Sequence, residues 1–301
     1  MVQRLDTEMS GPQVVLVAHT WDNAGTREQR VYAAHPDAAY FPIILVSSGH
    51  AVFTGPTSPY DSYRAMIAAD LARPASGELE AWWRRDGDDV VVWATLRNLG
   101  TAALSQAANS AALTAMVYER TYEFPFQNPV RGVTAVPLTA AVAPGATAQL
   151  QARVVAPAVS NWSQADVVAL VDDRPAGSTG AYDVVQAARV APAGLDATPA
   201  EIEVVVIPGA SAPAERSLAL SGPPVLTWTA TTDAPWLEIE PATGALPAAP
   251  VVRVHTDQLP PGGVATGTVT VVGSGAGMSF TQTVPVGVNT ARLVRRHLSH
   301  R

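Results

Sequence analysis

Between residues 76 and 192, apolar and polar positions alternate with period two. Leu79, Ala81 and Trp83 share one face with Val90, Val92, Ala94 and Leu96, while Glu78, Glu80, Arg84, Thr95 and Arg97 point the other way. Such alternation predicts half-buried strands. Arg85-Asp86-Gly87-Asp88-Asp89 between the runs predicts a hairpin turn. Two registers keep every side chain on its face: an Asp86-Gly87 turn pairing Arg84 with Asp89, or a loop Asp86–Asp89 pairing Trp82 with Trp93 and Glu78 with Arg97. The Asp-Gly dipeptide favours the first and the cross-strand pairs favour the second. Leu113–Tyr118, Ala148–Val154, Val167–Val171 and Val184–Val190 are further strand candidates, with turns at Pro144-Gly145 and 175–180. Short strands and frequent turns predict a β-sandwich over 76–192. Residues 191–199, rich in Ala, Pro and Gly, have the character of a linker. A second alternating series follows over 200–290: Ile202, Val204, Val206, then Leu218, Leu220, Leu226, Trp228, Ala230, Val252, Val254, Val269, Val271, and Val284, Val286, Val288. It predicts a second sandwich, and 291–301 is a basic tail.

Residues 1–75 have a different pattern. Val14–Ala18 and Phe41–Val46 are short continuous apolar runs, as in strands buried on both faces. Ser47–His50 predicts a turn into Ala51–Thr54. Ser58-Pro59-Tyr60-Asp61 is a helix start, and Tyr60, Tyr63, Ile67 and Leu71 recur on one helical face before Pro74. The expected fold is mainly β: two immunoglobulin-like β-sandwiches (76–192 and 200–290) preceded by a small α/β segment (1–75).

Composition narrows the chemistry. The 301 residues contain no Cys, which excludes disulfides, thiol catalysis and iron–sulfur ligation by this chain. All 19 basic residues are Arg, scattered within a net charge of -7, so nucleic acid is not an expected partner. With 48% hydrophobic and 15% charged residues the chain is not of the disordered class. No apolar stretch approaches the ~18 residues of a membrane span, and residues 1–13 lack the pattern of a signal peptide.

Candidate site residues are few. Trp82 and Trp93 lie together on the polar face of the first hairpin, opposite Trp83 and Val92. Such a pair is either a docking patch or is covered by a neighbouring segment, and cover from residues 1–75 is favoured. Trp236 follows Pro235 near a strand start and suits either core or patch, whereas Trp228, between Leu226 and Ala230, suits the core. His19 and Asp22 follow a buried run and could join His35 or His50 in a polar site; a plain polar loop is the stronger expectation. Asp86, Asp88 and Asp89 lack calcium-loop spacing and suit a charged turn. Asn161-Trp162-Ser163 has the form of a glycosylation acceptor and is treated as coincidence. Gly273–Gly277 precedes another strand rather than a helix, so it is no dinucleotide loop. No catalytic residue, metal ligand or cofactor is implied.

Two resemblances add to this. The Val14–Ala18 run, Phe41-Pro42 entering a strand, the Gly49 turn, Gly55 and the helix from Ser58 resemble the second half of a thioredoxin-like domain. That resemblance places Pro42 at the family's cis-proline position and puts its Cys-x-x-Cys in an earlier part, which is not expected in this chain. Followed by a sandwich with Ala94-Thr95-Leu96-Arg97-Asn98 and Ala115-Met116-Val117-Tyr118-Glu119, the order is similar to bacterial surface proteins of the outer-membrane type. Leu226-Thr227-Trp228, Ala234-Pro235-Trp236-Leu237-Glu238-Ile239, Pro241-Ala242-Thr243-Gly244, Leu259-Pro260-Pro261-Gly262 and Gly267–Val271 resemble a BACON domain, an immunoglobulin-like module of secreted bacterial proteins. The resemblances imply a non-catalytic, extracellular or cell-surface protein that binds a glycan or another surface protein or acts as a spacer. The alternatives are a redox-protein fragment lacking its Cys-x-x-Cys half and a glycan-binding accessory module.

Overall fold

The computed structural model describes residues 43–54, 60–123, 126–156, 158–176, 181–206, 213–260 and 264–290. The chain is mainly β and divides into two compact units, Met1–Pro192 and Ala193–Arg301.

The first unit opens with strand β1 (Ile43–Val46), a tight turn over Ser47–Gly49, and strand β2 (Ala51–Thr54), paired antiparallel. Helix α1 (Tyr60–Leu71) follows. Tyr63 and Ile67 are buried, as the helical periodicity requires, but Leu71 is exposed because burial stops a turn before the helix ends. The Val14–Ala18 run, His19, Asp22, His35, the Phe41–Pro42 bond, the Ser58-Pro59 cap and the 291–301 tail lie outside the described residues.

The sandwich then builds in chain order. Strands β3 (Gly77–Asp86) and β4 (Asp89–Asn98) form a hairpin, and the single-turn helix α2 (Gln106–Asn109) leads to β5 (Ala112–Glu119). A small hairpin, β6 (Tyr122–Glu123) and β7 (Phe126–Gln127), precedes β8 (Val130–Pro137) and β9 (Thr147–Val155). The unit closes with β10 (Ala165–Asp173), β11 (Asp183–Arg189) and β12 (Ala191–Pro192). One sheet has the order β12-β3-β4-β9 and the other β11-β10-β5-β8. Leu79, Ala81, Val90, Val92, Ala94 and Leu96 of the first pack on Leu113, Ala115, Val117, Val167, Ala169 and Val171 of the second. Each of the Val and Leu side chains, fully buried, contributes roughly 1.5–3 kcal/mol, and this set holds the two sheets together. Met116, Tyr118, Val130, Val168 and Leu170 form a further apolar layer on the other face of β5 and β10.

The hairpin takes the second register. Trp82 pairs with Trp93, Glu78 with Arg97, and Asp86 with Asp89. The turn residues are therefore Gly87-Asp88, with Gly87 first at φ +67°. A glycine in the first central position is the residue order of a II′ turn, which suits strand twist. Strand β8 was not among the expected strands, since Arg131 and Gly132 interrupt its apolar pattern. Gly132 is there because a Cβ would collide with the Val155 carbonyl of β9. A glycine inside a strand marks such close backbone approach.

The expected α/β segment and the expected first sandwich both fall in the first unit, and among the described residues Arg73 pairs with Asp183 of β11. The second unit begins before residue 200, because β13 (Asp196–Thr198) already pairs with β16 (Ala219–Ser221), and Leu195 and Ala197 are buried. The segment 191–199 thus carries a strand of each unit, with Ala191 and Pro192 registered against Trp82 and Trp83.

The second unit contains β14 (Ile202–Val206), β15 (Ala214–Ser217), β17 (Thr227–Thr232), β18 (Leu237–Glu240), β19 (Thr243–Ala245), β20 (Val251–Val254), β21 (Val264–Gly275) and β22 (Met278–Thr290). They form sheets of order β14-β22-β21-β17-β19 and β15-β20-β18. The alternating positions Ile202, Val204, Leu218, Leu220, Trp228, Val252, Val254, Val269, Val271, Val284, Val286 and Val288 are all buried. The Gly-rich stretch is the tip of the long β21–β22 hairpin, where Ala276 and Gly277 both have positive φ, 49° and 72°, as a I′ turn requires.

Candidate functional site

The outer face of the β3–β4–β9 sheet carries two of the singled-out tryptophans. Trp82 stands opposite Trp93, and Trp93 is flanked on its other side by Gln151. Arg84 lies over the Trp93 ring, 5.9 Å from its centre. The next rows are Glu80 opposite Thr95 and Glu78 opposite Arg97, whose Nη1 is 3.3 Å from Glu78 Oε2. Glu78, Glu80, Thr95 and Arg97, with Thr147 and Gln186, line a shallow open groove beside Trp82.

Of Trp82, Trp93 and Trp236, the three candidate patch residues, two are enclosed. Trp93 is 3% exposed and Trp236 is 4% exposed. A buried indole has no free ring face to stack on a ligand, so its contribution is to packing. Trp236 closes on Gly267, where a Cβ would lie 3.0 Å from the ring. Trp228, expected in the core, is fully buried and donates Nε1–H to Ala245 O at 3.3 Å. Of the three candidate patch tryptophans, Trp82 alone is partly exposed. Among the described residues, His50 and Arg73 make ion-pair contacts with Asp183 of β11, in the other sheet.

Elsewhere, polar groups are tied into pairs. Arg153 holds Asp86 at 2.5 Å and Asp89 at 2.6 Å, which explains the acidic turn as charge balance. Hydrogen bonding and attraction from Arg153 lower the Asp86 carboxyl below its ordinary value. Arg85 stacks on Trp162, 4.1 Å from the ring centre. Glu119, with no exposed surface, went unnoticed in the sequence. Its Oε1 accepts from Ser160 N at 3.0 Å, Ser160 Oγ at 2.8 Å and Asn161 N at 2.6 Å, and its Oε2 from Arg131 Nε at 2.5 Å. Burial pushes this carboxyl up, but the bonds from Asn161, Ser160 and Arg131 outweigh it and hold it below its ordinary value. The visible signal was one acid ending an otherwise uncharged strand. In the next residues, Asn161 Oδ1 accepts from Ser163 N at 3.1 Å and Ser163 Oγ at 2.8 Å.

A third polar group lies at the end of the β10–β11 hairpin. Asp173 faces Asp183 in register, beside the buried Asp172. Arg73 pairs with both Asp183 and Asp70, Ser47 Oγ donates to Asp70, and His50 Nδ1 lies 3.7 Å from Asp183. Asn109 Nδ2 donates to Asp173 Oδ2 at 2.9 Å. Burial, then Asp183 and Asp172, push the Asp173 carboxyl up to about 6, against the bond from Asn109. Among the described residues, no group of three or more His, Asp or Glu side chains is arranged to hold a metal ion.

No known family model matches the chain, and no curated protein does. Solved structures give only distant likenesses. The periplasmic chaperone SfaE is 12% identical over 34% of this chain and 60% of its own, with TM-score 0.28. A Bacteroides ovatus GH5 xyloglucanase in complex with a XXXG heptasaccharide is 16% identical over 34% of this chain and 20% of its own, with TM-score 0.25. Titin Ig tandem domains A164-A165 are 11% identical over 72% of this chain and 100% of theirs, with TM-score 0.22. Scores this low decide nothing about activity or ligand. Among the described residues, no helix is long and apolar enough to cross a membrane.

Proposed function

We propose that the protein is a non-catalytic modular binding or spacer protein of the secreted or cell-surface class. The observation that carries this is the engagement of its charged side chains in structural pairs. Glu119 is held by Arg131 and the 160–161 backbone, Asp86 and Asp89 by Arg153, Glu215 and Glu240 by Arg253, and Glu238 by His255. Groups so paired serve each sandwich as structure, as a spacer or a binding scaffold needs. The partial thioredoxin-like character of residues 1–75 belongs to this proposal too, supported by the order of hairpin β1–β2 and helix α1. So does the BACON-like character of the last unit.

A ligand on the outer face of the β3–β4–β9 sheet would meet the partly exposed Trp82, and Glu80, Thr95, Arg97 and Thr147 in the groove near it offer donors and acceptors suited to a neutral glycan. Binding of the whole chain to soluble polysaccharides, followed by calorimetry, tests this. Heat that disappears in Trp82→Ala, with folding unchanged, supports a glycan-binding module. No heat with any polysaccharide leaves the spacer role, and turnover of a hydrolase or oxidoreductase substrate refutes the non-catalytic reading.

A further inference from the structure

We propose that Arg84, beside Trp82 on the outer face of the first hairpin, is a carboxylate-binding position, and that the sugar this face takes is an acidic one, a uronate. The proposal rests on the glycan-binding form of the function above and adds the class of sugar. The face is built in rows across β3, β4 and β9. Ala191, Trp82, Trp93 and Gln151 form one row, and Arg84, Val91 and Arg153 form the next toward the turn. Val91 and Trp93 are enclosed, Gln151 and Arg153 are exposed, and Trp82 and Arg84 are partly exposed. Asp86 and Asp89 beyond them are both taken by Arg153.

Arg84 has no such partner. Among the described residues no carboxylate forms an ion pair with it, although Arg85, Arg97 and Arg153 of the same sheet each have one. Its Nε is buried with no acceptor. Its charge reaches Asp86 only through space, as the weakest of the influences on that carboxyl. The guanidinium lies over the Trp93 ring instead, 5.9 Å from its centre. Such a contact serves the flat face of the cation and leaves its N–H edge without an acceptor. A carboxylate is the group that fills that edge, with two parallel N–H···O bonds.

The spacing selects a sugar acid. Trp82 and Arg84 share a face two residues apart, about 7 Å along the strand. A pyranose stacked on Trp82 and a carboxylate on that ring span about this distance. Gln151, in the same row as Trp82, offers an amide to sugar hydroxyls. An acidic peptide is less well served. The main-chain groups of β4 are spent on β3 and β9, so this face has none of the backbone bonds by which an extended peptide adds to a sheet. The net charge of -7 repels any polyanion, so retention of one reports a local contact.

The test is calorimetry on the full chain at low salt, with polygalacturonate and with the same polymer after its carboxyls are reduced to hydroxymethyl groups. The wild type should bind the acidic polymer at least about tenfold more tightly than the reduced one, and the advantage should shrink at about 0.5 M salt. Arg84→Gln should lose that advantage and keep its affinity for the reduced polymer. Arg64→Gln, at an exposed position of α1, should change neither. Should Arg84→Gln fail to fold, Arg84→Lys keeps the charge without the planar fork and should lose part of the advantage. Equal wild-type affinity for the two polymers, an advantage that survives both Arg84 variants, or an equal loss in Arg64→Gln would overturn the carboxylate site and leave glycan binding standing. No binding of either polymer also overturns the site, and the glycan reading falls with it only if neutral polysaccharides give no heat.

Discussion

Removing the Glu119 carboxylate tests how the 158–164 loop is fastened to the sandwich. Four donors converge on this side chain: Ser160 N, Ser160 Oγ, Asn161 N and Arg131 Nε, at 2.5–3.0 Å. Hydrogen bonds to a charged group are worth about 1.5–3 kcal/mol each, but they are not additive here, because a loop that lifts away returns its amides to water. The Arg131 guanidinium is 13% exposed and cannot rehydrate without moving. Breaking a buried ion pair by deleting one partner costs about 3–5 kcal/mol, and this sets the scale for Glu119→Ala. Glu119→Gln keeps an acceptor for Ser160 and Asn161 but turns an amide donor toward Arg131, so about 2–3 kcal/mol is expected. The pH dependence follows from the lowered carboxyl. Its contribution is full above the unfolded value and is lost as pH falls through the depressed folded one. The wild-type advantage over Glu119→Gln should therefore be constant from pH 7 to about pH 5 and shrink below about pH 4. Urea unfolding followed by hydrogen exchange measures both parts, with the Ser160 and Asn161 amides losing protection. A Glu119→Ala cost under about 1 kcal/mol, or unchanged protection at those amides, would refute the reasoning.

Gly132→Ala should destabilise the first unit by more than about 2 kcal/mol, since its Cβ meets backbone rather than a movable side chain; a thermal melt that does not drop contradicts the close approach to Val155. Ala276→Asn should stabilise the second unit by about 0.5–1 kcal/mol by suiting a positive φ, and a loss of stability in urea would count against the I′ turn. Trp236→Ala should cost about 3–5 kcal/mol, whereas Trp82→Ala should cost well under half of that; equal costs in chemical denaturation would contradict their difference in burial.

Alternation along the chain was sufficient to assign the inner faces. Leu79, Ala81, Val92, Ala94 and Leu96 are all in the core, and the even-numbered Val series of the second unit is buried as read. The reason is local: strand side chains point to opposite faces with period two, whatever lies beyond. The β1–β2 hairpin and α1 were legible for the same kind of reason, through turn residues and helical spacing. The site was less legible. Alternation put Trp82 and Trp93 together and cover of that pair was the favoured reading, but which indoles would be enclosed was not legible, because the burial of an outer face depends on residues far apart in the chain.

The hairpin register shows the division most clearly. Both registers kept each side chain on its face, and the local Asp-Gly signal pointed to the one not adopted. Tertiary pairing chose the other: Arg153, from a strand far along the chain, reaches Asp86 and Asp89 together, and Trp82 meets Trp93. Gly132 and Glu119 belong to the same class. Each is a single residue whose role depends on a backbone or loop brought to it by folding. Sequence by itself determined which faces are apolar, since periodicity is a property of the strand. Only the tertiary structure decided register, enclosure and pairing, since these are set by contacts between residues far apart in the chain.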